Sequence, residues 1–146
     1  MWKIIWSARR LPGDFSQRFA GIFEMLTLSV FLVEDESLIR MMIAGMIEDL
    51  GHRVVAEAAS IAAAKPLAEG AKFDIAILDI NVAGNEIWPV AQTIERRGLP
   101  FIFASGYTNL VLPAAFVGRR ILEKPFPIRK LRDAIHAIWR ARNHSP

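Results

Sequence analysis

The stretch FDIAILD, residues 73–79, constrains the fold more than any other in the chain. Ile75 to Leu78 run apolar with no polar alternation and stop on a carboxylate, Asp79. A strand with one wet face alternates apolar and polar residues. An unbroken apolar run bounded by turn signals fits a strand buried on both faces, as in a parallel sheet covered by helices. LSVFLV at 28–33 and PFIFAS at 100–105 have the same character. Three such runs in one chain call for helices between them.

The sequence supplies those helices. ESLIRMMIAGMIEDLG (36–51) is amphipathic, with Ser37 as N-cap candidate and Gly51 as stop signal. RVVAEA (53–58) reads as a second strand, and SIAAAKPLAEG (60–70) as a helix weakened by Pro66. After FDIAILD, IWPVAQTIERRG (87–98) is a helix with Pro89 in its first turn. RRILE (119–123) is a short fifth strand. PIRKLRDAIHAIWRAR (127–142) is the last helix, with Ile128, Leu131, Ile135 and Ile138 on its expected core stripe. Strand–helix alternation implies right-handed crossovers, hence an α/β, doubly wound, five-stranded parallel sheet with helices on both faces. NLVLPAAFVG (109–118) carries Pro113 in its middle and predicts a short or irregular fourth helix. The domain is expected over 27–142, with 143–146 as a tail.

Composition narrows the function. The 146 residues include no cysteine, which excludes disulfides and thiolate chemistry. The densest apolar window, residues 20–33, is broken by Glu24 and is too short to span a bilayer. No apolar run of signal-peptide length follows the basic N-terminus, so a cytoplasmic protein without membrane contact is expected. Residues 119–146 carry eight basic and two acidic groups, whereas residues 25–118 carry six and eleven. The basic last helix also has a core stripe and reads as a solvated face rather than a nucleic-acid surface. Residues 1–26 stand outside the strand–helix pattern. Phe15, Phe19, Ile22, Phe23 and Leu26 share one helical face behind Asp14, so this extension reads as an amphipathic helix docked on the domain or on a second subunit. Met25 as a later start, making the first 24 residues an upstream extension, is an equally weighted alternative.

In open α/β sheets, reactive groups collect outside the carboxyl ends of the strands. Here those ends are VEDE (Glu34, Asp35, Glu36), Asp79, Ser105 and Lys124. Clustered carboxylates need a counter-charge, and oxygen-only ligands suit Mg²⁺. A lysine would neutralise remaining charge and a serine hydroxyl would bond a phosphoryl oxygen. That is equipment for phosphoryl transfer to a carboxylate.

VEDE, ILDI, FASGY and LEKPF, within residues 27–142, resemble the signature segments of response-regulator receiver domains of bacterial two-component signalling. FASGY is similar to the FATGY-type strand-four motif of a subgroup commonly found as single-domain proteins, with Ser105 in place of threonine. The intervals from Asp35 to Asp79, Ser105 and Lys124 are 44, 26 and 19 residues, the last two somewhat short for the family. The resemblance implies a flavodoxin-like receiver fold with Asp79 as phosphoacceptor. It implies Mg²⁺ on Asp35, Asp79 and the Asn81 backbone carbonyl, with Glu34 acting through water. Ser105 and Lys124 would hold the phosphoryl group, Lys124 pairing with Asp79 beforehand; Lys124–Pro125 would be cis, and Tyr107 would be the switch aromatic. The phosphoryl donor would be a histidine kinase or histidine phosphotransfer protein, and the output a contact with a downstream regulatory protein. A homodimer is compatible with this, and no nucleic acid is expected. The chain would catalyse its own phosphorylation and dephosphorylation without turning over a separate substrate. A pseudo-receiver, a binding module that is never phosphorylated, is the alternative. A haloacid-dehalogenase-type phosphatase is disfavoured, since position 81 is Asn where that chemistry needs a second Asp.

Overall fold

The computed structural model describes residues 27–107 and 109–143. The expected helix within 1–26 and the tail residues 144–146 lie outside them. The strands and helices in chain order are β1 (Ser29–Val33), α1 (Ser37–Asp49), β2 (Arg53–Ala58), α2 (Ile61–Gly70) and β3 (Ile75–Asp79). There follow β4 (Asn81–Val82), β5 (Asn85–Glu86), α3 (Trp88–Arg96), β6 (Phe101–Ser105), β7 (Ile121–Glu123) and α4 (Ile128–Asn143). Five strands form one parallel sheet in the order β2-β1-β3-β6-β7, which puts β3 at its centre. All five residues of β3 are buried, as its unbroken apolar run requires.

Alternation along each strand divides the interior into two layers. Phe31 and Val33 of β1, Ala76 and Leu78 of β3, and Phe101 and Phe103 of β6 face one side and pack with Ala64, Ala68, Val90 and Ile94 of α2 and α3. Val30, Leu32, Ile75, Ile77 and Ile102 face the other and meet Ile43 and Ile47 of α1 with Leu131 and Ile135 of α4. Both faces of the sheet are thus covered. Asp79, last in a strand consumed by the two cores, is carried to the edge where the helices no longer cover the backbone.

Some details depart from the sequence expectations. Helix α1 begins at Ser37, and Glu36 is its N-cap with no side-chain cap bond. Ser60 does cap α2, accepting the Ala63 N–H at 3.1 Å, and α2 runs unbroken through Pro66 on its exposed side. Ile128 is 37% exposed and is not core; Ala134 joins Leu131 and Ile135 as the buried stripe. Between β6 and β7 the only helical segment among the described residues is a 3₁₀ turn, Ala114–Phe116. Pro113 starts it, and its Phe116 fills the core against Phe103 and Trp88. One buried aromatic thus fixes the connection that the sequence predicts to be short. A feature not anticipated is the β4–β5 hairpin just after β3. Its two turn residues, Ala83 and Gly84, have φ of 51° and 82°, the left-handed pair that a two-residue hairpin loop demands. Among the described residues no helix is long and apolar enough to cross a membrane.

Candidate functional site

The sheet delivers its polar strand ends to one place. β1 stops at Val33 and leads into Glu34 and Asp35, β3 ends in Asp79, β6 in Ser105, and β7 leads into Lys124. Parallel register sets their heights: Ile80 N–H bonds the Ala104 carbonyl at 3.0 Å, and Lys124 N–H bonds the Ser105 carbonyl at 2.7 Å. The Lys124–Pro125 peptide is cis. A pocket of about 430 Å³ opens on this edge, lined by Asp35, Glu36, Asp79, Asn81, Gly106, Tyr107 and Lys124.

Lys124 organises the charges. Its Nζ lies 2.8 Å from Glu34 Oε2 and 3.3 Å from Asp79 Oδ2. The sequence pointed to Asp79 as its partner, yet the shorter bond goes to Glu34. The reason is burial: Glu34 is 1% exposed and cannot find water to solvate its charge. The other Glu34 oxygen accepts the Glu36 N–H at 3.2 Å. Burial pulls the Lys124 ammonium down, but its hydrogen bond to Glu34 and the charges of Asp79 and Glu34 outweigh that and hold it above its ordinary range.

Asp79 is left short of positive charge. Burial first, then the charge of Glu34, raise its pKa from 3.8 to about 7, with Lys124 offsetting only part. Carboxylate oxygens of Glu34, Asp35 and Asp79 lie within 4.8 Å of one another. Three acids against one lysine leave an excess of two negative charges when all are ionised. Oxygen donors with that excess match a hard divalent cation such as Mg²⁺, so the residues present fit the group the sequence implies. Asp35 is oriented from the far side, where its Oδ2 accepts the Ala83 N–H at 3.1 Å and ties the β4–β5 turn to the site. Asn81 lines the pocket, while its side-chain Oδ1 is occupied by the Gly84 N–H at 3.0 Å.

Ser105 and Tyr107 sit differently. Ser105 is 2% exposed, and its Oγ accepts the Tyr107 N–H at 3.0 Å and donates to the Tyr107 carbonyl at 3.4 Å. The hydroxyl is therefore satisfied by its own loop. The Tyr107 ring is 67% exposed. Two contributors escaped the sequence reading. Arg40 of α1 donates to the Glu34 carbonyl at 2.9 Å and reaches Glu57 of β2 at 3.7 Å. The hairpin N–H of Ala83 is the other. Its signal was a Gly in second turn position, weakened by an Ala where Asn or Asp usually stands.

Residues 30–136 match the family model of the response regulator receiver domain. The transcriptional regulatory protein PdtaR of Mycobacterium tuberculosis is 34% identical over 110 residues, which cover 73% of this chain and 54% of PdtaR. The chain thus spans about half the length of the curated relatives it matches. Among solved structures, SdrG from Sphingomonas melonis aligns with a TM-score of 0.70 at 33% identity, covering 78% of this chain and 98% of SdrG. The receiver domain of PhyR from Erythrobacter litoralis aligns with a TM-score of 0.74 at 25% identity, covering 84% and 97%. With a five-stranded parallel sheet in the order β2-β1-β3-β6-β7, polar strand ends gathered on one edge and a family match over most of its length, the chain belongs to the response regulator receiver domain family.

Proposed function

We propose that this chain is a signalling receiver whose Asp79 accepts a phosphoryl group from a histidine kinase or a histidine phosphotransfer protein. The observation that carries the reading is the lysine bridge: one ammonium, 2.8 Å from Glu34 and 3.3 Å from Asp79, beside a third carboxylate at the mouth of an open pocket. In the transfer, an Asp79 oxygen attacks phosphorus, the P–O bond forms and the P–N bond to the donor histidine breaks. The imidazole leaves with the electron pair. Asp35, Asp79 and the Asn81 carbonyl would hold Mg²⁺, with Glu34 through water. When bound, the ion supplies positive charge for the phosphoryl oxygens. Asp79 attacks as the anion, and Lys124 provides the chain's own positive charge at its Oδ2.

Ser105 gives the site a route to the surface. Its hydroxyl has one proton to donate, now directed at the Tyr107 carbonyl at 3.4 Å, so bonding a phosphoryl oxygen would break that contact to the loop. Phosphorylation would then free the loop after β6 and let Tyr107 change position. The surface around this loop, the 3₁₀ turn and α4 would engage a downstream regulatory protein, with residues 27–142 as the signalling unit and a homodimer as one form of that contact. SdrG, a relative of 35% identity in this alignment, has a BeF3-activated solution conformation, which favours a phosphorylatable site over a pseudo-receiver. Incubating the protein with acetyl phosphate and Mg²⁺ and reading intact mass tests the assignment. One added phosphoryl group is expected on the wild type and none on Asp79→Asn. Equal labelling of both, or of neither, refutes it.

A further inference from the structure

Glu34 is held at four points. Its N–H bonds the Ala58 carbonyl at 3.0 Å, and its carboxylate accepts the Glu36 N–H at 3.2 Å on one oxygen and Lys124 Nζ at 2.8 Å on the other. The fourth point is its own carbonyl. β1 has ended at Val33 and α1 begins only at Ser37, and among the described residues no backbone N–H reaches that oxygen. Arg40 of α1 supplies the donor, with Nη1 2.9 Å away. Glu34 is buried, so loss of the guanidinium leaves its carbonyl an acceptor without a partner, and the turn must shift or admit water to satisfy it.

Arg40 also closes a ring. Its Nε lies 3.7 Å from Glu57 Oε1, and the next residue of β2, Ala58, is the one whose carbonyl takes the Glu34 N–H. β2 therefore holds Glu34 from both sides, directly at its N–H and through the guanidinium at its carbonyl. An ammonium could not do the same, because only the planar fork offers two donors at a fixed spacing. The carbonyl belongs to the peptide that joins Glu34 to Asp35, so its direction sets where the Asp35 side chain leaves the backbone. Asp35 is half-buried, and among the described residues its carboxylate has one hydrogen bond, from the Ala83 N–H at 3.1 Å. We propose that Arg40 is a positioning residue of the acidic cluster. By fixing the Glu34–Asp35 peptide it keeps the Asp35 carboxylate beside those of Glu34 and Asp79, and so sets the affinity of the three for a divalent cation. The affinity rests on reading these acids as the Mg²⁺ site; the positioning does not. Arg40 bonds none of the three carboxylates among the described residues, so its effect travels through the backbone.

Charge and geometry give opposite signs, which makes the test decisive. Removing a positive side chain near the cluster would tighten cation binding if charge alone acted. Loss of positioning weakens it, by about tenfold where a group that orients a metal ligand is removed. Calorimetric titration of the full chain with MgCl₂ is expected to show Arg40→Met binding about tenfold more weakly than wild type. Arg40→Lys, which keeps one donor for the carbonyl, should stay within about threefold. Arg40→Gln, too short for the carbonyl, gives the same test should Arg40→Met not fold. Unchanged or tighter binding overturns the proposal, as does a lower urea midpoint with no change in Mg²⁺ affinity, the mark of a merely structural role. A metal-free arm reads the positioning by itself. In EDTA, amide exchange at Ala83, whose acceptor is Asp35, is expected to run about threefold faster in Arg40→Met, with Phe103, bonded to the Arg120 carbonyl, unchanged. Equal exchange at Ala83 overturns the positioning. Absence of Mg²⁺ binding by the wild type refutes the cation site, and the Ala83 arm then decides the positioning alone.

Discussion

Replacing Asp79 by Asn should make the metal-free protein more stable, although it removes the residue on which the proposed function rests. Asp79 is 6% exposed, shares its surroundings with the buried carboxylate of Glu34, and has only part of one lysine as counter-charge. Burial and Glu34 hold its pKa at about 7 against 3.8 for an unperturbed group. That gap corresponds to a ceiling of about 4 kcal/mol against the ionised form. Asparagine has the same shape and no charge, but it bonds Lys124 less strongly than a carboxylate does, a loss of about 1 kcal/mol. A net gain of about 2–3 kcal/mol is expected above pH 7, or about 10 °C in Tm for a domain of this size. The sign follows from linkage. Between pH 3.8 and about 7 the native wild type binds more protons at Asp79 than the unfolded chain does, so its stability falls as pH rises. Asp79→Asn lacks that slope, and its advantage should shrink steadily from pH 8 to pH 5. Urea titrations of both proteins in EDTA at the two pH values measure it. Added Mg²⁺ should stabilise the wild type more than the variant. An Asp79→Asn protein no more stable than wild type at pH 8, or one whose advantage is the same at pH 5, refutes the reasoning.

Lys124→Met removes the only cation bonded to the carboxylates of Glu34 and Asp79 among the described residues. It should cost about 3–5 kcal/mol at pH 8, as breaking a buried ion pair does. Denaturation of the Asp79→Asn, Lys124→Met double variant should show a smaller cost, since one of the two stranded carboxylates is gone. His52 is buried and accepts the Leu28 N–H, and burial followed by the charge of His136 lowers its pKa. Its depressed native pKa means that the neutral ring contributes stability above about pH 6.5 that is lost as pH falls below it. His52→Ala should therefore cost about 1–3 kcal/mol at pH 8 through the orphaned N–H, and less at pH 5 in parallel melts. Gly84→Ala places a Cβ at φ 82° and should cost about 1–2 kcal/mol, read as a lower urea midpoint with unchanged slope.

Much of the fold was legible because buried parallel strands are written as uninterrupted apolar runs. Ile75–Leu78 could face neither water nor a polar layer, and that requirement led to helices on both sides and to Asp79 at the sheet edge. Convergence of Glu34, Asp35, Asp79 and Lys124 followed from topology alone, since parallel strands end on the same side. What stayed hidden was decided by contacts between distant elements. The preference of Lys124 for Glu34 depends on which carboxylate is more completely dehydrated, and no local pattern encodes that. The β4–β5 hairpin depends on Ala83 tolerating φ 51°, a conformation whose cost is offset by an N–H bond to Asp35, 48 residues away. The exposure of Ile128 shows the limit of periodicity: a residue at core spacing in the first turn of α4 extends past the end of the layer it should join.

On the proposed function, a site built from fixed strand ends would still be able to signal. Glu34, Asp79 and Lys124 are held by sheet register and by one another, and none can move far without exposing or stranding a buried charge. Ser105 differs. It ends the same sheet, but its hydroxyl is bonded to the backbone of Tyr107, beyond the last strand residue, in a connection whose one helical segment among the described residues is a 3₁₀ turn. Hydrogen bonds of this kind are each worth about 1 kcal/mol net, and a phosphoryl oxygen is a stronger, charged acceptor for the same hydroxyl. On the proposed function, the exchange would favour the phosphoryl group. On that reading, motion would centre on the connection between β6 and β7. Among the described residues that connection holds no helix longer than the 3₁₀ turn, and Phe116, with Leu110 and Leu112 partly buried beside it, ties it to the core.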